Sequence, residues 1–231
     1  MGTGREGFAR PLLGGLLTCT LLLTGCTGDD VTDADATDTV ACDPWRQEDR
    51  CGGWRLAFDG YGTASGTQRP EGWLYRLAPQ TVDDESETAA ALALSEQEFE
   101  DVEVSVRLRT REQLRRPRGN PWEVAWLVWH HTDNQHFYYV TLKPNGWEVG
   151  KADPAFPGAQ RFLTSGTAPV FPVGPWYEVR IRQVGAEIEV SVDGAPLARV
   201  VDTGDPYTGG SVGLYTEDAA VEFEDIQLMA V

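Results

Sequence analysis

The sequence is poor in basic residues. Nineteen lysines and arginines stand against 36 aspartates and glutamates in 231 residues, which gives a formal net charge of -17 at pH 7. A protein that binds nucleic acid or an anionic membrane surface needs a basic face to neutralise phosphates. Nucleic acid is therefore not expected as a partner, and a neutral ligand such as a saccharide is favoured.

Helical patterns are also scarce. No long segment repeats apolar residues at helical spacing, whereas glycine, proline, tryptophan, valine and threonine are abundant. Such a composition favours strands and turns. The length leaves room for one β-rich domain of roughly 180 to 200 residues with a sizeable core. We predict a single all-β domain over residues 42–231, with little helix.

The longest apolar run, Leu12 to Leu23, is too short to span a bilayer, which takes about 20 residues. Arg5 and Arg10 precede it, and it ends in Leu23-Thr24-Gly25-Cys26. This tetrad resembles the lipobox of bacterial lipoproteins, which predicts a signal peptide over residues 1–25, a lipid such as palmitate on Cys26, and a protein anchored at the extracellular face of the cell membrane. The alternative is an ordinary secretion signal with an incidental cysteine. Palmitate labelling of wild type and Cys26→Ala distinguishes the two.

Only four cysteines are present. If Cys19 leaves with the signal peptide and Cys26 carries lipid, Cys42 and Cys51 remain in an oxidising compartment, and we predict that they form a disulfide. Closing so short a loop contributes roughly 2.5 to 3 kcal/mol on the chain-entropy estimate. Residues 26–41 are mostly small, acidic or hydroxylated and predict a flexible, solvated tether.

Alternation of apolar and polar residues predicts about twelve to fourteen strands. The clearest case is Glu98 to Arg109, in which four apolar residues from Val102 to Leu108 face inward and Glu103 and Arg107 face outward. The segment from Trp122 to Lys151 is predicted as a hairpin of two strands. Its rings occupy both faces, so one face packs in the core and the other either binds a ligand or lies beneath a loop.

Three segments together resemble the concanavalin-like jelly rolls: HFYYVTL, WYEVRIRQVGAEIEVSVDG and GSVGLYTEDAAVEFEDIQL. This group includes laminin-G-like modules, family 16 glycoside hydrolases and the 3-keto-disaccharide hydrolase domain. The resemblance covers roughly residues 54–231 and implies a two-sheet antiparallel jelly-roll sandwich of the concanavalin A type. Within the last segment, Glu224-Asp225 interrupts the alternation and predicts a β-bulge.

The resemblance implies that the concave face of one sheet takes a glycan. With Trp129 and Tyr138 assigned to the core, alternation sends a second set of side chains to the cleft. The predicted ligand-binding residues are Trp126, His130, Tyr139, Arg107, Phe137 and Lys143, with Glu103 and Arg107 joining from a neighbouring strand. Rings stack on the apolar faces of sugars, and polar groups fix the hydroxyls.

Three functions remain open. The first is a lipid-anchored extracellular carbohydrate-binding protein, and the second is a hydrolase of 3-keto-disaccharides or glycosides, with Glu103, Glu148 and His130 as acid/base candidates. The Glu-x-Asp-x-x-Glu motif of family 16 is absent, since the nearest match, Glu98 to Glu103, has a glutamate in its centre. The third is a laminin-G-like protein-interaction module.

No cofactor is required by any of these functions, but the resemblance raises a structural calcium ion with Asp59 and Asp225 as candidate ligands. A zinc site is not expected. His130 and His131 are adjacent and would point to opposite faces of a strand, so they could share an ion only across a bulge. The oligomeric state and the identity of the sugar are left open by the sequence.

Overall fold

Alternating side chains build two antiparallel sheets that pack face to face. The computed structural model describes residues 41–231 except 83 and 85, so the predictions for the signal peptide, Cys26 and most of the tether lie outside the described residues. Sheet 1 contains, in spatial order, β1 (Ala41–Cys42), β4 (Thr63–Arg69), β5 (Gly72–Ala78), β16 (Ala219–Ala230), β7 (Val102–Gln113), β12 (Tyr177–Val184), β13 (Glu187–Val192) and β14 (Ala195–Val201).

Sheet 2 lies opposite and carries the aromatic segment. It contains, in spatial order, β11 (Gln160–Gly166), β10 (Gly146–Ala152), β9 (His136–Lys143), β8 (Ala125–Asp133), β15 (Gly210–Glu217), β6 (Ala90–Phe99), β3 (Trp54–Phe58) and β2 (Arg50–Cys51). Within the described ranges the one helical element is a single 3-10 turn, Pro157–Ala159. The predicted all-β jelly-roll sandwich is confirmed.

The core lies between the two inner faces. Val104 and Val106 of β7 and Ile181 of β12 meet Leu127 and Trp129 of β8 there, and all five are fully buried. The Trp129 Nε1 donates a hydrogen bond of 2.6 Å to Gln183 Oε1 on the opposite sheet. The one polar atom of the indole is therefore satisfied inside the sandwich, as buried polar groups require.

Two predicted segments are divided differently in the structure. The strand expected over Glu98 to Arg109 is broken by a turn at 100–101, which places Glu98 in β6 and starts β7 at Val102. The Trp122 to Lys151 segment forms three strands, β8, β9 and β10, because a second turn at 144–145 reverses the chain before Gly146, whose φ is 136°. The prediction of a two-stranded hairpin was wrong.

The closing strand contains the predicted bulge. Its register against β7 shifts between Glu224 and Gln227, and Asp225 has a φ of 52°. Ile226 and Leu228 consequently pack against the core despite the interrupted alternation. The bulge also ends the pairing of β16 with β5, which is confined to three residue pairs ending at Phe223.

The predicted disulfide is confirmed. Cys42 and Cys51 are bonded with a Cα–Cα distance of 6.1 Å. The bond joins β1, at one edge of sheet 1, to β2, at one edge of sheet 2. Within residues 41–231, leaving out 83 and 85, there is no helix with the length and hydropathy needed to span a membrane.

Candidate functional site

The outer face of sheet 2 carries an aromatic cluster that is separate from the core. Trp126 and Tyr139, on adjacent strands, are buried with their ring centroids 4.8 Å apart. Tyr215 of β15, directly opposite Trp126 in the register, stands edge-on to its indole at 5.5 Å. Alternation therefore divides the rings of β8 and β9 as predicted, with Trp129 and Tyr138 in the core and Trp126 and Tyr139 on the outer face.

A cavity of about 550 Å³ opens over this cluster, and we call it the groove. Trp122 and Phe162 stand at its rim with 45% and 56% of their surfaces exposed. Its floor is formed by Trp126, Tyr139 and Tyr215. Exposed large rings above a buried aromatic floor are typical of ligand sites, which combine apolar walls with a few polar groups.

Three buried polar atoms on this face have no hydrogen-bond partner among the described residues: Tyr139 Oη, Thr141 Oγ1 and His131 Nε2. Buried polar atoms in folded proteins are nearly always satisfied by protein groups, ordered water or a ligand, so this face offers hydrogen-bonding positions to water or to a ligand. The hydroxyl of Tyr139 lies over Gly150, where any Cβ would collide with it. A glycine at that position allows the tyrosine to lie flat across the sheet.

Two carboxylates also line the groove. Glu148 of β10 is ion-paired with Lys143 Nζ. Glu217 accepts a hydrogen bond of 2.7 Å from the Tyr215 hydroxyl. Burial raises the pKa of Glu217, and the nearby Asp218 and Glu123 carboxylates add to the rise. One carboxylate of the groove is thus paired with a lysine, whereas the other retains its proton more readily than an ordinary glutamate.

A buried ion cluster supports the groove from behind. The Arg115 guanidinium contacts Glu123 Oε1 at 2.5 Å and Asp218 Oδ2 at 2.6 Å, and all three side chains are at most 5% exposed. It also donates to the carbonyls of Asp84 and Glu87, at 2.8 and 2.9 Å. Because Glu123 follows Trp122 and Asp218 follows Glu217 in the chain, this cluster fixes the backbone of one wall of the groove.

The structure brings five of the predicted site residues into the groove or beside it. Trp126, Tyr139, Phe137 and Glu148 line it directly. Lys143 lies on the same face and contacts Glu148 from outside the lining. Their roles in binding or catalysis stay predictions; alternation assigned Trp126, Phe137, Tyr139 and Lys143 to one face of the sheet, whereas Glu148 was not placed by alternation.

Arg107 and Glu103 do not join this set. Both lie on β7, which belongs to sheet 1, so they are on the opposite outer face of the sandwich. Arg107 is paired there with Glu224 and Asp225 at 2.7 and 3.3 Å. Alternation assigned their direction correctly, but it carries no information on which sheet a strand joins.

His130 also points away from the groove. Its φ of 49° and a register shift between Trp129 and Asp133 mark a bulge in β8. The bulge turns the ring inward, where Nδ1 donates to the Tyr207 carbonyl at 2.9 Å. The alternation is reversed beyond this point, so that His131 and not His130 reaches the outer face, stacked on Phe137 at 5.6 Å.

Asp59 and Asp225 do not fit a calcium site. Asp225 is paired with Arg107 and lies beside Trp54, at the start of β3, whereas Asp59 follows the other end of that strand. The five-residue strand between Trp54 and Asp59 spans roughly 16 Å. In the described part of the chain no group of three or more histidine, cysteine, aspartate or glutamate side chains is arranged to hold a metal ion.

Sequence reasoning missed several groove residues. They are Trp122, Phe162, Tyr215 and Glu217, and His131 lies on the same outer face, stacked on Phe137. Alternation could have found two of them, since Leu214 is a core residue and Tyr215 and Glu217 follow it one and three positions later. His131 could not be found in this way because the bulge at His130 has no signature in the sequence.

A larger cavity of about 780 Å³ lies elsewhere, where β5 and β16 separate beyond the bulge. Its indoles are already used in packing: Trp54 is buried, and Trp73 is stacked on Tyr75 with the rings 9° from parallel. Its arginines, Arg107 and Arg180, are paired with neighbouring carboxylates. The smaller groove therefore has the stronger claim to a ligand.

Comparisons with known proteins agree with the fold. The family described as the 3-keto-alpha-glucoside-1,2-lyase-like domain matches residues 43–229. No curated protein matches the chain at a significant level. Solved structures of similar fold include the carbohydrate-binding module CBM66 of Bacillus subtilis, with 18% identity and a TM-score of 0.56 over 77% of this chain and 96% of that one.

Two further solved structures share the fold. A Bacillus subtilis protein of unknown function with a galectin-like fold is 13% identical, with a TM-score of 0.53 over 82% of this chain and 94% of that one. The exoplasmic/lumenal domain of VIP36, in a Ca2+/Man3GlcNAc-bound form, is also 13% identical, with a TM-score of 0.50 over 81% of this chain and 87% of that one. Likeness at these identities shows a common fold and no more.

Proposed function

This chain belongs to the 3-keto-alpha-glucoside-1,2-lyase-like family, and we propose that it binds a neutral saccharide in the groove on the outer face of sheet 2. The observation that carries the proposal is the combination, on one face, of solvent-reachable rings with buried polar atoms that lack a partner. Rings cover the apolar faces of a sugar, and its hydroxyls can both donate to and accept from such atoms.

Charge supports a neutral ligand. Among the described residues, the lining of the groove contains Glu148 and Glu217 but neither lysine nor arginine, and Lys143, which contacts Glu148, is already paired with it. An anionic sugar would meet two carboxylates without a free positive partner, which is unfavourable in a partly buried site. We further propose that the domain displays this groove at the extracellular face of the membrane, held by lipid on Cys26. The binding needs no cofactor.

Removal of either rim ring is expected to weaken sugar binding by about tenfold, which corresponds to about 1.4 kcal/mol. Trp122→Ala and Phe162→Ala suit this test because both rings are largely exposed, whereas truncation of the buried Trp126 would leave a cavity. Tyr61→Ala removes an aromatic ring that is 89% exposed and outside the groove, and serves as the matched control.

Binding is measured first on a glycan array and then by titration calorimetry with the strongest sugar. The expected order is wild type and Tyr61→Ala together, with both rim variants weaker. An array without signal for wild type, or rim variants that bind as tightly as Tyr61→Ala, would overturn the proposal.

A second candidate function is elimination on a 3-keto-α-glucoside. In such a substrate the C2 hydrogen is acidified by the C3 carbonyl, and C1 carries the leaving group. The Glu148 carboxylate would take the C2 proton while protonated Glu217 gives its proton to the glycosidic oxygen. The C1–O bond then breaks and a C1–C2 double bond forms. The raised pKa of Glu217 beside the ion-paired Glu148 favours this division of roles.

Glu217→Gln is expected to abolish this elimination, by about 100-fold or more, and to stabilise the fold. The pKa of Glu217 is higher in the folded protein than in the unfolded chain. The folded protein therefore loses stability as pH rises from the unfolded pKa through the folded pKa, so at pH 7 the glutamate is destabilising. The variant should show a higher Tm at pH 7, and the difference should vanish below about pH 4. Glu187→Gln, an exposed carboxylate on sheet 1, should change neither quantity.

Turnover is followed as release of nitrophenolate from a 3-keto-α-glucoside of nitrophenol. No release by wild type would rule out the elimination and leave sugar binding standing. An unchanged Tm in Glu217→Gln would show that the carboxyl group is hydrated and ordinary.

A further inference from the structure

The groove continues beyond the cavity described above. A second, smaller cavity of about 180 Å³ lies on the same face of sheet 2 and is lined by Phe58, Leu92, Val128 and His131. The two cavities share Asn134, Phe137 and Tyr215 in their walls. They are therefore neighbouring parts of one depression.

This depression runs across the strands. Its first part begins at Phe162 on β11, and its second part ends at Phe58 on β3. Six strand spacings separate β11 from β3 in the order of sheet 2. At about 4.8 Å a spacing, the depression extends for roughly 29 Å.

Rings and polar groups recur along this length. The β11 end offers Phe162 and Gln160, and the middle offers Trp126 and Tyr139 with Glu148 close by. The far part offers the stacked pair of His131 and Phe137, whose rings are 20° from parallel. A single monosaccharide would contact only one of these three groups of side chains.

The imidazole of His131 is suited to a hydrogen bond with a neutral polar group of a ligand. Its Nε2 is buried without a partner among the described residues, and it belongs to the far cavity. Burial lowers the pKa of His131, although the side chains of Asn134 and Asp133 act in the opposite direction and Arg55 acts with burial. A neutral imidazole can donate to or accept from one sugar hydroxyl.

We propose that this depression binds a linear saccharide of at least four residues, laid across the strands from β11 to β3. The proposal rests on the saccharide binding proposed above and extends it from a single sugar to a chain. A hexose residue of a linear glycan is comparable in length to one strand spacing of about 4.8 Å, so four residues fill most of the depression. Disaccharides would leave the far cavity empty.

The probes are neutral gluco-oligosaccharides of two, four and six residues, in α-1,4, α-1,6 and β-1,4 linkage, titrated into the domain by calorimetry. Affinity for the preferred linkage should rise at least tenfold between the disaccharide and the tetrasaccharide. Equal affinities for the disaccharide and the hexasaccharide overturn the extended site and leave saccharide binding intact. If no oligosaccharide binds in the titrations and the glycan array also gives no signal, both proposals are overturned.

Variants at the two ends sharpen the test. His131→Leu and Phe58→Ala should each weaken hexasaccharide binding about tenfold without changing disaccharide binding, whereas Phe162→Ala should weaken both. His131→Leu keeps an apolar side chain of similar size against Phe137, so it is expected to leave the fold intact and covers the case in which Phe58→Ala destabilises it. Hexasaccharide binding unchanged in His131→Leu, with an unaltered Tm, would overturn the far part of the site.

Discussion

Arg115→Leu should lower the free energy of unfolding by about 3–5 kcal/mol. Arg115 is the shared cation of Glu123 and Asp218, which are both almost completely buried. Removing it leaves two carboxylates in a low-dielectric environment and deprives the carbonyls of Asp84 and Glu87 of their donor. Removal of one partner from a buried ion cluster is therefore far more costly than the net value of the cluster.

The matched control is Arg116→Leu, at the next position. Arg116 is 56% exposed at its side chain and forms a surface pair with Glu112, so its loss should cost less than about 1 kcal/mol. Urea denaturation gives both values. A loss below about 1 kcal/mol in Arg115→Leu would show that the two carboxylates are hydrated and that the cluster contributes little to the groove wall.

The second large effect is expected at Lys151 of β10, whose side chain is fully buried. Its ammonium group donates to Asp202 Oδ2 at 2.9 Å and to the carbonyls of Gly204 and Asp205 at 2.6 and 3.0 Å. These contacts fasten the loop between β14 and β15 to sheet 2. Lys151→Met should lower the free energy of unfolding by about 3–5 kcal/mol, because Asp202 would remain as a buried charge with less compensation.

Two comparisons test this explanation. Lys151→Met combined with Asp202→Asn should be less destabilised than Lys151→Met alone, because the unpaired charge is gone. Arg199→Met, at an exposed position of β14, should be nearly neutral. Burial acts to raise the pKa of Asp202, but the hydrogen bonds from Lys151, Gly204 and Tyr138 lower it on balance.

The lowered pKa sets the pH dependence. A carboxylate with a depressed folded pKa stabilises the protein above its unfolded pKa, and that contribution is lost as pH falls through the folded pKa. Wild type should therefore lose stability in acid through Asp202, and Lys151→Met should lose less over the same range. Denaturation curves between pH 7 and pH 3 measure both slopes, and parallel slopes would contradict the assignment to Asp202.

Alternation predicted much of the fold and the face on which several rings of the groove lie. Since strands repeat every two residues, the inward set of β7 and the split between Trp129 and Trp126 could be read directly. Sheet membership could not be read in this way. Arg107 and Trp126 are both outward-facing, but they lie on opposite sides of the molecule because β7 pairs with β12 and β16 and not with β8.

Two other kinds of feature were beyond the sequence. The bulge at His130, unlike the one at Glu224-Asp225, does not interrupt an alternation of polar and apolar residues, so the exchange of His130 for His131 on the outer face required coordinates. Buried ions form the second kind. Arg115 stands in a basic, proline-containing segment that is typical of a solvated turn, yet it is buried because its two carboxylate partners come from positions 8 and 103 residues away.

The disulfide would have a mechanical consequence under the lipid anchor that we propose at Cys26. The chain enters through β1, which pairs with β4 over only two residues. Cys42 is nevertheless bonded to Cys51, and so to the edge of the sheet that carries the groove. A pulling force applied ahead of Ala41 would pass through a covalent bond into that sheet, and peeling β1 from β4 would not release the domain.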